Sequence, residues 1–337
     1  MGSEKHKYCT LRQFAYIVSL LLLTTSCNWV EDDRDDCPYG FWLKLHYTYN
    51  ILDVEAGPEY LKDASVYVYD TLGNYVTRID ATLPQLQTHE HCVEVKGIPE
   101  GDYQFVVWSG RNEYATTGDM QEMDKFRLFL EASNGNPSKL LPDLFHGYLP
   151  RVHFDDAYAV HDVYMTKNTN EITCLLVAVD GNEELKKDDY TMAIETSNGT
   201  MDAMNKLVSE ETIVYEPYTS ELATVDDDEY AEPLKGVKYS ISTLRLMEDR
   251  NCQLVMKKKS ETDGTDETKF RISLPEWIGI IGPLQTKTGK QLSLQEYLDR
   301  QDYYAIVLFL SGADLSNIQV YVKKWKPRTT NNFKLKM

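Results

Sequence analysis

Large apolar residues recur at every second position along much of this chain, and this pattern restricts the possible folds more than any other feature. It is clearest in the run 41–50, on the positions Phe41, Leu43, Leu45, Tyr47 and Tyr49. Because successive side chains of a β-strand point to opposite faces of a sheet, such a run predicts a strand with one buried face. A helix would instead repeat its apolar residues with a period near 3.6.

The same pattern, bounded by turn residues, predicts strands in both halves of the chain. In the first half they fall at residues 64–70, 75–79, 91–95, 103–109, 126–130 and 144–149. In the second half they fall at residues 160–165, 172–179, 190–196, 212–215, 239–247, 252–258, 270–274, 303–310 and 318–325. One helix is predicted over residues 296–300, because Ser293 precedes Glu296 by the spacing of a capping box.

Chain length and the renewed strand pattern together predict two domains. A typical domain takes about 150 residues, and short strands at this spacing are typical of β-sandwiches. We therefore expect an all-β fold of two β-sandwich domains in tandem, at residues 37–158 and 159–337, with few short helices.

The N-terminal segment has the composition of an export signal. Lys5, Lys7 and Arg12 precede an uncharged apolar run at residues 14–23, and small residues then lead to Cys27. The run is about half of the roughly 20 residues that a membrane-spanning helix needs. The cysteine gives the segment the form of a bacterial lipobox, which predicts a signal peptide over residues 1–26 and acylation of Cys27. The alternative is an ordinary signal peptide followed by a chance cysteine, and Thr24 departs from the leucine usual at that position.

The charge of the chain limits its partners. The formal net charge is −18, and removal of residues 1–26 makes it more negative. Such a charge repels the nucleic acid backbone and keeps the surface hydrated, so no nucleic acid partner is expected. The acidic run behind Cys27, within residues 27–36, is predicted to be a solvated tether.

Four cysteines lie beyond Cys27, an even number suited to an oxidising compartment. Division of the chain near residue 158 leaves two in each half. Four cysteines allow three pairings, and the simplest joins Cys37 to Cys92 and Cys174 to Cys252.

Catalytic motifs are scarce. The chain contains no phosphate-binding glycine loop, no nucleophile elbow and no HExxH pair. His89 and His91 beside Cys92 could lie on one strand face, but no carboxylate partner can be assigned, and a chance cluster is favoured. The acidic run 226–229 lacks the alternation of a calcium loop. We expect no metal, no cofactor, no small-molecule substrate and no enzymatic activity.

Several segments, taken in order, resemble the fimbrial anchor family of Bacteroidales, the FimB-like lipoproteins. They spread from the lipobox to about residue 250. They are residues 37–50 (CPYGFWLKLHYTYN), 66–70 (VYVYD) with Gly73, 97–103 (GIPEGDY), 167–170 (KNTN) and 242–246 (STLRL).

This resemblance implies two transthyretin-like sandwiches on a lipid anchor in the outer membrane, facing the cell exterior. It implies a non-catalytic protein that attaches and terminates a fimbria by strand pairing with a shaft subunit. The acidic residues behind the lipobox, by the same resemblance, imply export to the outer surface. Which fimbrial subunit is bound stays open.

The C-terminal strand and tail are the candidates for that pairing. The alternative is that they form a last core strand followed by a frayed tail. A different alternative function is glycan binding through exposed aromatic residues, and a less favoured one is hydrolysis by a carboxylate pair. The partner-strand candidates are Ile318, Val320, Val322, Phe333 and Leu335.

Overall fold

Strands form most of the regular structure in the computed structural model. It describes residues 40–111, 115–116, 120–130, 137–155, 157–178, 185–225, 234–260, 265–311 and 317–322. The described residues from Phe41 onwards belong to one compact unit. An all-β fold with few short helices is therefore confirmed, whereas the tandem transthyretin-like arrangement stays a prediction.

The first half holds ten strands within its described residues. They are β1 (Phe41–His46), β2 (Asp63–Asp70), β3 (Tyr75–Thr82), β4 (Cys92–Val95), β5 (Gly101–Ser109), β6 (Ala115–Thr116), β7 (Arg127–Phe129), β8 (Phe145–Phe154), β9 (Ala159–Tyr164) and β10 (Thr166–Lys167). Short helices follow β1 and β3, namely α1 (Gly57–Tyr60) and α2 (Leu83–Thr88).

The second half, as far as it is described, also holds ten strands. They are β11 (Thr169–Ala178), β12 (Tyr190–Thr196), β13 (Thr200–Asp202), β14 (Ile213–Tyr215), β15 (Thr219–Val225), β16 (Leu234–Leu244), β17 (Gln253–Lys258), β18 (Glu267–Ser273), β19 (Tyr303–Ser311) and β20 (Asn317–Val322). Two helices lie between β18 and β19, namely α3 (Leu274–Ile281) and α4 (Leu294–Arg300).

The strands form five sheets. Sheet A has the order β4-β1-β9 and sheet B the order β10-β8-β5-β2-β3; sheet C has the order β15-β16-β11-β19-β20 and sheet D the order β14-β12-β17-β18. Sheet E, with the order β13-β7-β6, takes strands from both halves of the chain.

Sheets A and B enclose a core of their own. The alternation in β1 buries Phe41, Leu43 and Leu45 against sheet B residues such as Val66 and Phe105. Burial of each large apolar side chain contributes about 1.5–3 kcal/mol. The alternation at 41–50 thus fixes the inner face of β1, although the strand ends at His46.

Sheet B is buried on its other face as well. Tyr67 and Tyr69 of β2 point away from the first core and join Leu128 of β7 and Met201 of β13 in a second, larger core. That core continues between sheets C and D. The two halves therefore share both a sheet and a core.

The predicted boundary at residue 158 stays a prediction, and strand β9, which begins just after it, lies in sheet A. Strand β9, assigned by prediction to the second domain, pairs in parallel with β1 over six residues, Phe41 opposite Ala159 through His46 opposite Tyr164. The chain passes to sheets C and D only after β10, at Asn168. Strand β9 fits sheet A because Val163 completes its apolar inner face.

The predicted capping box is confirmed. Ser293 accepts a hydrogen bond from the Glu296 backbone N–H, and the Glu296 side chain accepts one from the Ser293 N–H. Helix α3 was not predicted, because the strand pattern at 270–274 runs directly into it at Pro275, a residue suited to a first helical turn. In the described residues, we find no helix with the length and apolarity to cross a membrane.

Candidate partner-binding edge and the junction that supports it

Strand β20 carries three of the five partner-strand candidates. It pairs antiparallel with β19, so that Ile318, Val320 and Val322 lie opposite Leu310, Leu308 and Ile306. These three residues therefore belong to the protein's own sheet C rather than to a free strand. Phe333 and Leu335 lie outside the described residues.

As the last strand in the order of sheet C, β20 forms one edge of it. An edge strand presents backbone N–H and C=O groups that another chain can pair with. Its neighbour β19 is packed on both faces, because Leu308 is buried on one face and Val307 on the other. The arrangement suits strand addition, in which backbone hydrogen bonds supply affinity.

A partly buried ion cluster joins the start of the second half to the first. The ammonium of Lys167, on β10, lies 2.8 Å from Asp143 Oδ1 and 2.8 Å from Asp302 Oδ2. Burial would lower the pKa of Lys167, but the two carboxylates outweigh this effect and raise it. The lysine therefore stays charged, and it ties the segments before β8, β11 and β19 together.

The asparagines of the KNTN segment continue this junction. Asn168 bonds the side chain of Asn205, and Asn170 donates to the Leu244 carbonyl at 3.3 Å. Asn198 donates to that same carbonyl at 3.0 Å. Such bonds matter because a buried polar group left unpaired costs about 1–3 kcal/mol.

Arg245, within the STLRL segment, links two elements of the second half. Its guanidinium contacts Asp299 through two hydrogen bonds of 2.8 and 2.9 Å and so fastens α4 to the end of β16. Sequence reasoning singled out the KNTN and STLRL segments by resemblance alone. It could not foresee their partners, because Asn205 and Asp299 carry no distinguishing pattern.

The predicted disulfide between Cys174 and Cys252 is not formed. Both residues are buried and carry free thiols, Cys174 in sheet C and Cys252 just before β17 in sheet D. Burial raises the pKa of each thiol to about 12. Cys174 fills its place in the core as a small apolar residue does.

The other predictions for cysteines stay predictions. Cys92 is half-buried, and Cys37 lies outside the described residues, so their pairing stays a prediction. Cys27 and the tether at 27–36 lie outside them too.

His89 and His91 occupy different surroundings. The His89 ring packs on Trp42 with centroids 5.1 Å apart, whereas His91 is buried in a left-handed backbone conformation, φ +64°. Burial lowers the pKa of His91. Within the described residues no cluster of three metal-binding side chains is present. The acidic run at 226–229 lies outside them.

Together these features define a class of protein: an all-β protein whose last described strand, β20, forms the edge of a well-packed sheet. The chain belongs to the family of fimbrillin-A associated anchor proteins Mfa1 and Mfa2, which matches residues 34–331. Among curated proteins, no sequence matches the chain.

Solved structures share this fold. A Bacteroides thetaiotaomicron protein described as a candidate polysaccharide-binding protein is 27% identical, with a TM-score of 0.70, over 86% of this chain and 97% of that one. A candidate adhesin from Bacteroides ovatus is 17% identical, with a TM-score of 0.72, over 86% and 96%. The fimbrial anchor protein Mfa2 from Porphyromonas gingivalis is 15% identical, with a TM-score of 0.63, over 86% and 98%.

Proposed function

We propose that this protein is a lipoprotein of the outer membrane that holds a fimbria to the cell surface and ends its polymerisation, without catalysis. The observation that carries the proposal is the family match, which spans nearly the whole chain. The edge strand β20 supports it, because an attachment protein needs a place where a shaft subunit can pair.

The lipid is assigned to Cys27. A positively charged flank, an apolar run and small residues precede it in the order of a lipoprotein signal. The acidic segment that follows would then space the folded part from the membrane, facing the exterior. A fatty-acid analogue should label the wild-type protein in cells, and Cys27→Ala should remove the label. Equal labelling of both proteins would contradict acylation at this residue.

The contact with the shaft is assigned to the C-terminal tail. Phe333 and Leu335 alternate with Lys334 and Lys336, the pattern of a strand with one apolar face. The tail is basic, whereas the chain as a whole carries −18. Because β20 already pairs with β19, the residues after Pro327 are better candidates for a strand given to a partner.

Truncation after Pro327 tests this assignment. We expect the truncated protein to reach the membrane at its normal level but to release full-length fimbriae into the medium. The double variant Phe333→Asp, Leu335→Asp should do the same, whereas the matched control Asn331→Asp, Asn332→Asp adds the same charge and should retain fimbriae.

The outcomes distinguish an error in the place of the contact from an error in the anchoring function. If truncated cells keep their fimbriae, the contact lies elsewhere, and β20 is the next candidate. If cells that lack the whole protein keep fimbriae of normal length, the anchoring function itself is wrong.

A further inference from the structure

Strand β9 carries an exposed apolar and acidic face on the outside of sheet A. Val160, Asp162 and Tyr164 alternate with inward residues, and the side chain of Val163 is buried in the first core. Tyr164 is 62% exposed and Val160 41%. Strand β9 lies at the edge of sheet A, and we call this exposed face the β9 face (Val160, Asp162, Tyr164).

The Tyr164 ring of the β9 face is positioned by a neighbouring ring on β1. It stacks on the His46 ring of β1, with centroids 5.3 Å apart and an angle of 25° between the planes. His46 is itself fixed, because Nδ1 lies 2.7 Å from Glu55 Oε2 and Nε2 lies 2.9 Å from Asp162 Oδ1. A preorganised ring loses less conformational freedom when it binds.

The two carboxylates have different roles. Both oxygens of Glu55 already have partners, because Oε2 contacts His46 and Oε1 accepts hydrogen bonds from the backbone N–H groups of Tyr47 and Gly57. Partial burial would raise the pKa of Glu55, but these bonds and the His46 ring lower it below its ordinary value. Among the described residues, the Asp162 side chain has one hydrogen-bond partner, His46, which contacts its Oδ1, and it is 54% exposed, so its Oδ2 can accept a hydrogen bond from a ligand.

We infer that the β9 face binds a glycan that is neutral or carries amino sugars. The negatively polarised face of the Tyr164 ring attracts the C–H groups of a pyranose. Asp162 beside it accepts hydrogen bonds from sugar hydroxyl or ammonium groups, and bonds to a charged acceptor are the stronger kind. The net charge of −18 opposes acidic polysaccharides. This role is additional to anchoring and uses a different sheet from β20.

A glycan array probed with the full chain in detergent tests the inference. It should carry neutral, amino-sugar and acidic glycans, with affinities then measured by calorimetry on the strongest binder. We expect binding to neutral or amino-sugar glycans. Tyr164→Ala should weaken it by about tenfold or more, and Asp162→Asn should weaken it by a similar factor. Tyr164→Phe keeps the ring and should bind nearly as well as the wild type.

Leu222→Ala is the matched control, since Leu222 is an exposed apolar residue on β15 of sheet C. All variants should melt at the temperature of the wild type, because the replaced side chains are largely exposed. Absence of glycan binding, preference for acidic glycans, or undiminished binding by Tyr164→Ala would each overturn the inference. Capture of a protein but of no glycan by this face would overturn it too. Fimbria retention by Tyr164→Ala cells is a separate readout, which the inference expects to be normal.

Discussion

The side chains of Asn168 and Asn205 bond each other in both directions. Nδ2 of Asn168 donates to Oδ1 of Asn205 at 2.9 Å, and Nδ2 of Asn205 donates to Oδ1 of Asn168 at 3.0 Å. Both residues are buried. Asn168 stands where the chain passes from sheet B to sheet C, and Asn205 follows β13 of sheet E, so the pair fastens the two halves together.

Asn168→Ala should therefore lower the free energy of unfolding by about 2 kcal/mol, because it leaves the buried Asn205 amide without its partner. Urea denaturation followed by fluorescence measures the change. Asn251→Ala is the control, since Asn251 is exposed, and its effect should stay within about 0.5 kcal/mol. Equal effects of the two substitutions would show that the amide pair adds no stability.

Gly110 and Gly97 provide a matched pair of glycines. Both have positive φ, +79° and +76°, but a Cβ on Gly110 would lie 1.8 Å from the Asp143 carbonyl oxygen, whereas one on Gly97 would meet nothing within 4 Å. Gly97→Ala should cost about 1 kcal/mol for its backbone conformation. Gly110→Ala should cost at least about 2 kcal/mol more, because the backbone must also shift. Thermal denaturation compares them, and similar melting temperatures would contradict the expected clash.

His146 should make stability depend on pH. Its Nε2 donates to the Ala203 carbonyl at 2.9 Å, and burial lowers the pKa of the ring to about 4. In the unfolded chain the pKa is about 6.5, so the unfolded state binds more protons between these values. The contribution of the neutral ring to the free energy of unfolding is therefore complete above pH 6.5, and it is lost as the pH falls towards 4. It amounts to roughly 3 kcal/mol.

Denaturation at a series of pH values checks this expectation. His146→Gln offers a neutral donor at the same place and should lose less stability than the wild type between pH 6.5 and 4. Parallel losses in the two proteins would assign the pH dependence to other groups.

The buried thiols should resist alkylation. In the folded protein, Cys174 and Cys252 are expected not to react with iodoacetamide at pH 8, because they are inaccessible and the raised pKa suppresses their thiolates. Both should react after denaturation without a reductant. If the predicted Cys37–Cys92 bridge forms, Cys92 should react only after reduction. Peptide mapping by mass spectrometry distinguishes these cases, and native labelling of Cys92 would exclude that bridge.

The sequence predicted those features of the fold that depend on neighbouring residues, but not those that depend on contacts between distant parts of the chain. The alternation at Phe41, Leu43 and Leu45 is local, and it predicted β1 and its buried face correctly. The capping box at Ser293 is local too. In contrast, the pairing of β9 with β1 joins distant parts of the chain, and a strand pattern alone does not determine it.

The same limit applies to the candidate sites. Lys167, Asn168 and Arg245 stood in segments noted for their resemblance, but their partners Asp143, Asn205 and Asp299 come from distant parts of the chain. The even number of cysteines suggested a bridge between Cys174 and Cys252 that the fold does not form. The number of cysteines in a chain does not indicate which of them lie close together. Tyr164 gave no signal of its own, since its exposure depends on lying at the edge of sheet A.

The parallel pairing of β1 with β9 has a mechanical consequence. Tension between the N-terminal end of the chain and its second half would pull β1 from its start and β9 from its end, in opposite directions along one ladder. The evenly spaced hydrogen bonds of a parallel pair then carry the load together, in shear, rather than opening one after another. Strand β1 receives the force first, and it is hydrogen-bonded along both edges, because β4 pairs with its other side.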